Sequence, residues 1–240
     1  MPLGLGVEAW LTAPEVRRMA SYRRVEDRER FLTGRAVVRA ALAEGRGCPV
    51  AEIDIVVGPS DGPAPGRPYV AGGPSFSISH SGRWVLVAVS SHGSVGVDVE
   101  GVGGVATSLD RVLHAVPAAE APAGGWTPAS FVRAWTRREA VLKAVGLGLL
   151  APRDDVLLSR ADEPPRVRAT AGGLPPPAAL SVVDIDPDPG PPTDRRETAH
   201  SAVALAFADP PAAPLTIDVA DAAALLLRQG VPRAALRALS

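Results

Sequence analysis

The chain has 240 residues, 46% hydrophobic and 21% charged, with 25 basic against 26 acidic side chains. Such a composition supports a substantial buried core in one or two domains and excludes disorder throughout. A net charge of −1 excludes a global positive field for nucleic acid or anionic membrane, so any polyanion has to be held by a local cluster.

Lys143 is the single lysine beside twenty-four arginines, and asparagine is absent. Composition bias on a tolerant surface accounts for the arginines; Lys143 either escaped it by accident or needs an ammonium. Cys48, alone, makes no intramolecular disulfide and no zinc or iron–sulfur site, which fits a reducing cytoplasm. Met1 to Trp10 lack a basic start, and apolar runs such as Trp84 to Val89 are far shorter than the roughly 18 residues that span a bilayer. A soluble, unexported protein is expected.

Glycine and proline cluster at Gly58 to Pro74, Pro117 to Pro128 and Pro175 to Pro192, which mark joints. Before the first joint, Pro14 to Glu44 reads as one helix, with Val16, Met19, Phe31, Leu32, Ala36, Val37, Ala40 and Ala41 at helical spacing. Ala51 to Val57 alternates as a strand. Ser75 to Ser79, Trp84 to Ser90 and Ser94 to Glu100, separated by short turns, predict an antiparallel meander. Thr127-Pro128 then opens a helix over Ala129 to Val145, which Gly146 ends. Further strands are expected at Asp155 to Ser159, Arg166 to Thr170, Leu180 to Ile185, Ala202 to Phe207 and Leu215 to Val219. The order helix, then strands, occurs twice, and two similar halves are expected.

Asp98 and Glu100, two apart on a strand, project from one face about 7 Å apart along it. In water such a pair is ordinary surface. On a half-buried strand it needs a cation or a shared proton, and oxygen ligands alone favour Mg²⁺ or Mn²⁺. Glu139 and Lys143 stand one helical turn apart. They read either as a solvated bridge worth roughly 0.3–0.5 kcal/mol or as a third ligand beside a phosphate-gripping ammonium. Ser79 and His80 are adjacent on a strand and so face opposite sides, which argues against a catalytic dyad; hydrogen bonding to a phosphate suits them better. Arg17, Arg18, Arg23, Arg24, Arg28 and Arg30 crowd the first helical region, balanced by Glu15, Glu26, Asp27 and Glu29, and Arg67 precedes the meander. They form either a solvated face or a cationic cluster for a ligand with phosphates at more than one point.

Four motifs in order resemble the surfactin-type 4′-phosphopantetheinyl transferases: Gly66-Arg67-Pro68; Phe76-Ser77-Ile78-Ser79-His80-Ser81-Gly82; Gly96-Val97-Asp98-Val99-Glu100; and Trp135-Thr136-x-x-Glu139-Ala140-x-x-Lys143-Ala144-x-Gly146-x-Gly148-Leu149. The resemblance implies an α/β (α+β) fold, a pseudo-two-fold pair of similar halves, each a small antiparallel sheet packed against a long helix. Residues 1–103 and 104–240 would form the halves, with the active site in the cleft between them. It further implies transfer of the phosphopantetheine arm from coenzyme A to a serine of an apo acyl or peptidyl carrier protein, releasing adenosine 3′,5′-bisphosphate. Asp98, Glu100 and Glu139 match the Mg²⁺ ligands, for which Mn²⁺ can stand in, and Lys143 the pyrophosphate grip. Ser79 and His80 match phosphate contacts, and Arg18, Arg30 and Arg67 the surroundings of the 3′-phosphate and adenine. The acid that deprotonates the carrier serine corresponds to Glu120 or Glu139; Lys143 and His80 complete the catalytic set. Arg67 and Arg138 stand where the family often has lysine. Carriers are usually acidic, so Arg111, Arg133 and Arg137 are candidates to receive them. Fatty-acid, polyketide and nonribosomal-peptide carriers are equally open, and a cytoplasmic monomer without nucleic-acid or membrane partners is expected. A carrier-docking module without turnover and a metal-dependent phosphohydrolase are the alternatives.

Overall fold

A computed structural model describes residues 6–59, 66–147, 151–185, 201–210 and 216–232. The expectations on residues 60–65 and 186–192 of the glycine–proline joints, on Gly148-Leu149 and on Leu215 lie outside them. The chain forms two compact units: Met1–Val56 with Tyr69–Pro74 and Leu215–Ser240, and Val57–Pro68 with Ser75–Pro214.

The first unit is helical. Thr12 precedes α1 (Ala13–Ser21), and its backbone N–H donates to Glu15 at the third helical position, satisfying one of the donors a helix start leaves open. Where one helix over Pro14 to Glu44 was expected, the chain instead breaks at Tyr22 to Arg24 and starts again as α2 (Val25–Arg46). Tyr22 and Arg24 are extended, the Ser21 hydroxyl turns back to the Arg18 carbonyl, and Arg28 Nε donates to the Tyr22 carbonyl. Those bonds give the backbone a local alternative to helix. Leu32, Val38, Ala40 and Leu42 are fully buried in α2, which is enclosed almost all round between Gly34 and Ala43 and ends at left-handed Gly47. Ala51 to Val57 is mostly not strand: Val50–Glu52 is a helical turn, Ile53 and Ile55 are buried, and only Val56–Val57 (β1) pairs. A short α5 (Ala222–Arg228), capped by Asp221 and packed on α2, was not anticipated, and no strand forms over residues 216–219.

The second unit contains, after the dipeptide β2 (Pro68–Tyr69), the hairpin β3 (Ser75–Ser81) and β4 (Trp84–Ser90), the strand β5 (Ser94–Gly101), helix α4 (Pro128–Ala144), the hairpin β6 (Val156–Leu158) and β7 (Val167–Thr170), and strands β8 (Leu180–Ile185) and β9 (Ser201–Ala208). A single turn, α3 (Leu109–Val112), precedes α4. The expected meander is half present. β3 pairs antiparallel with β4, but β5 pairs with β9, which in turn pairs with β8, giving the order β5-β9-β8.

The other side of β5 is held by side chains. The N–H groups of Val95, Val97, Val99 and Gly101 donate to the hydroxyls of Ser75, Ser77, Ser79 and Ser81 at 3.1–3.3 Å. Arg67 donates to the carbonyl of Val95 and Lys143 to that of Val97. A backbone row that would otherwise need a neighbouring strand is thereby satisfied.

Helix α4 starts at Thr127-Pro128, where the Thr127 hydroxyl accepts the Ser130 N–H, and stops before Gly146 at φ 81. It lies across the sheet, and its Ala140, Val141, Leu142 and Ala144 pack with Val156, Leu158, Leu180, Val182, Ala204, Ala206 and Ala208. Alanines in alternate positions of β9 keep that face of the sheet low. Gly96, opposite Ala206, brings β5 closest: a Cβ there would strike the Ala140 carbonyl oxygen and fall 2.5 Å from the Ala144 nitrogen. Among the described residues, no helix is long and apolar enough to cross a membrane.

Candidate active site

Alternation along β5 puts Gly96, Asp98 and Glu100 on the face that α4 covers, and the helix period puts Glu139 and Lys143 on one side of α4. The close approach at Gly96 brings the two sets together. Lys143 Nζ donates to Asp98 Oδ1 at 2.5 Å and to the Val97 carbonyl at 3.2 Å. Asp98 is 4% exposed, its Oδ1 also accepts the Ser79 hydroxyl at 2.7 Å, and its Oδ2 is buried with no hydrogen-bond partner. Glu100 Oε2 accepts the Ser81 hydroxyl at 2.8 Å.

Glu139 is buried. Burial first, then the negative charge of Asp98, push its carboxyl from the ordinary range up to about 7, against the opposing pull of Lys143 and Arg138. Glu100 is raised as well, chiefly by burial, with the Ser81 hydrogen bond working the other way. Three carboxylates thus share one region with one ammonium, leaving two negative charges when all are ionised.

The remaining candidates fall into three situations. Arg67 is committed within the protein, donating to the Ala144 carbonyl at the C-terminus of α4, to Ser75 and to the Val95 carbonyl. A cation there complements the helix dipole. Burial lowers its pKa, in keeping with that interior role. Ser79, expected at a phosphate, is 7% exposed and its one hydroxyl proton goes to Asp98. His80, opposite Val85 in the hairpin register, is exposed on the other side of β3. In the first unit, exposed Arg18 stacks over the Tyr22 ring at 5.2 Å, and Arg30 Nη2 donates to Asp27 at 2.6 Å.

Glu120, one of the two acids expected as the base, lies inside the protein. It is completely buried, its Oε1 accepts from Arg138 and from the Leu158 N–H, and a residue that must meet an incoming serine needs access. Arg138 is spent in the same way, adding the carbonyls of Arg153 and Val156. Arg137 is likewise corrected as a carrier contact: it is 2% exposed, grips Asp184 with two nitrogens at 2.8 and 2.6 Å, and reaches the carbonyls of Arg160 and Glu163. Arg111 and Arg133 remain exposed. Sequence reasoning missed the serines of β3 as a set. Their alternation from Ser75 to Ser81 was the available signal, since identical polar residues on one strand face must meet a common surface.

Among the described residues no three His, Cys, Asp or Glu side chains stand close enough to form a ready metal cage. The donor chemistry nevertheless fits a hard divalent cation. Asp98 Oδ2 is a buried oxygen without a hydrogen-bond partner, and burial together with the neighbouring Asp98 charge raises the Glu139 carboxyl, so a cation at this place would relieve both.

The site therefore belongs to a mixed α/β protein whose acid cluster, braced by one lysine, faces a helix across a small antiparallel sheet. Residues 94–190 match the family model of the 4′-phosphopantetheinyl transferase superfamily. It is 30% identical over 169 residues to a Synechocystis sp. protein provisionally named 4′-phosphopantetheinyl transferase, covering 65% of each chain. It is 29% identical over 171 residues to a 4′-phosphopantetheinyl transferase of Bacillus subtilis, covering 68% of this chain and 74% of that one. A phosphopantetheinyl transferase of Thraustochytrium sp. is 30% identical over 164 residues, 60% of this chain and 55% of that one. The chain thus spans a little under two thirds of the first relative's length.

Proposed function

We propose that the protein transfers the 4′-phosphopantetheine arm of coenzyme A to a serine of an apo carrier protein, with Mg²⁺ and release of adenosine 3′,5′-bisphosphate, acting as a cytoplasmic monomer. The observation that carries this reading is the Asp98–Lys143 pair beside Glu139, with Asp98 Oδ2 unpartnered. Asp98 through Oδ2, Glu100 and Glu139 would hold the cation, and Mn²⁺ would suit the same oxygens. When bound, Mg²⁺ neutralises pyrophosphate charge and steadies the leaving oxygen.

The carrier serine attacks the phosphorus that bears the pantetheine arm. A new P–O bond forms there, the bond to the bridging pyrophosphate oxygen breaks, and the electron pair leaves on the bisphosphate. Glu139, besides holding the cation, is the carboxylate assigned to accept the serine proton. Lys143 has two of its three N–H donors engaged, and with its side chain 26% exposed it can give the third to the pyrophosphate. His80, Arg18 and Arg30 are assigned to the nucleotide phosphates, and Arg111 and Arg133 to an acidic carrier. The succession α2, β3–β4, β5 and then α4, β6–β7, β8–β9 supports a pair of similar halves, 1–103 and 104–240, joined through the β5–β9 pairing.

Incubation with coenzyme A, Mg²⁺ and a panel of apo acyl and peptidyl carriers should add one phosphopantetheine mass to a carrier. No gain across the panel overturns the proposal, and bisphosphate release without any carrier would point to hydrolysis instead.

A further inference from the structure

Two bonds repeat along β3. The Ser79 hydroxyl accepts the Val99 N–H at 3.3 Å and donates to the Asp98 carboxylate at 2.7 Å. Two residues on, the Ser81 hydroxyl accepts the Gly101 N–H at 3.2 Å and donates to the Glu100 carboxylate at 2.8 Å. Each serine therefore grips an acid and the peptide that follows it. A hydroxyl has one proton, and while accepting the peptide N–H each of these serines gives that proton to its carboxylate. We propose that Ser79 and Ser81 are positioning residues, which fix one oxygen of Asp98 and of Glu100 and leave the other oxygen of each carboxylate for a divalent cation.

This inference rests on the metal reading above. The unpartnered Asp98 Oδ2 is its direct trace: the acid is held at Oδ1 by Ser79 and Lys143 and left open at the other oxygen. Groups that orient metal ligands typically change metal affinity by about 10–100-fold when removed. β3 also supplies its own control. Ser77 accepts the Val97 N–H at 3.1 Å just as its neighbours do, but the residue before Val97 is Gly96, so no carboxylate is there to orient.

Mn²⁺ binding to the purified chain, followed by electron paramagnetic resonance of the free ion, separates the roles, with thermal unfolding recorded in parallel. Ser77→Ala, Ser79→Ala and Ser81→Ala should lose similar stability, because each removes one acceptor for a backbone N–H. Only Ser79→Ala and Ser81→Ala should weaken Mn²⁺ binding, by about tenfold or more, and Ser81→Thr, which keeps the hydroxyl, should restore it. Parental affinity in Ser79→Ala and Ser81→Ala, or an equal loss in Ser77→Ala, overturns the positioning role. A parent chain that binds no Mn²⁺ overturns the metal reading itself.

Discussion

Lys143 reaches Asp98 at 2.5 Å and a strand carbonyl at 3.2 Å from a compact ammonium, a geometry that the broader, planar guanidinium does not reproduce. Lys143→Arg should therefore keep the fold and lower kcat for carrier modification by about tenfold or more, while Asp98→Ala should lower it by about a hundredfold or more; single-turnover assays with matched circular dichroism check both. A parental rate for Lys143→Arg would make the single lysine an accident of composition. Glu120 calls for a different measurement. Glu120→Ala would strand Arg138 in the interior and cost about 3–5 kcal/mol in denaturant unfolding, since breaking a buried pair leaves an uncompensated charge. A fully stable but inactive Glu120→Ala would restore it as the base. At this scale the acids and the lysine were legible because their spacing alone places them on shared faces. The burial of Glu120, Arg137 and Arg138 was not, because a charged side chain reads as surface until its partners, distant in sequence, are known.

Gly96 sets the distance between β5 and α4, so it governs the acid cluster through packing. In Gly96→Ala the new methyl meets backbone of α4, which cannot swing aside as a side chain would. The expected result is about 1–3 kcal/mol lost in thermal or denaturant unfolding, with Mn²⁺ affinity and activity falling together as Lys143 moves off Asp98. Unchanged affinity would show that the site does not depend on this approach. Local signals located the elements well where they are local: Thr127-Pro128 and Gly146 bound α4, and Leu180–Ile185 is a strand as expected. They failed for β5. A short turn after β4 favours a third meander strand, but the serines of β3 take its N–H groups, and its strand partner lies a hundred residues later in an alanine-rich run. The helix break at Tyr22 escaped notice for a related reason, since it rests on hydrogen bonds of Ser21 and Arg28 within an otherwise helical pattern.

For the molecule as a whole, the acid cluster predicts an unusual dependence of stability on pH. A carboxyl raised to about 7 keeps its proton in the folded state where the unfolded chain has already lost it. Its contribution is complete below about 4.5 and is lost as pH rises through 7, the reverse of an acid held in an ion pair. Glu100 is shifted in the same sense. Without divalent cation, the melting temperature should therefore fall from pH 5 to pH 8, and Glu139→Gln should flatten that fall. Added Mg²⁺, which binds the ionised acids, should widen its stabilisation over the same range. A pH-independent gain with Mg²⁺ would count against Glu139 as a ligand.

The way β5 is finished on its second side also bears on how the protein behaves at high concentration. An open strand flank invites pairing with another chain, and natural sheets blunt it with charges, bulges or covering segments. Here four hydroxyls, a guanidinium and an ammonium occupy the flank instead, so the same side chains that hold the acids also deny β5 as a template for intermolecular strand addition. Loss of the serines would then appear in two ways, as a disordered acid cluster and as a chain that begins to self-associate.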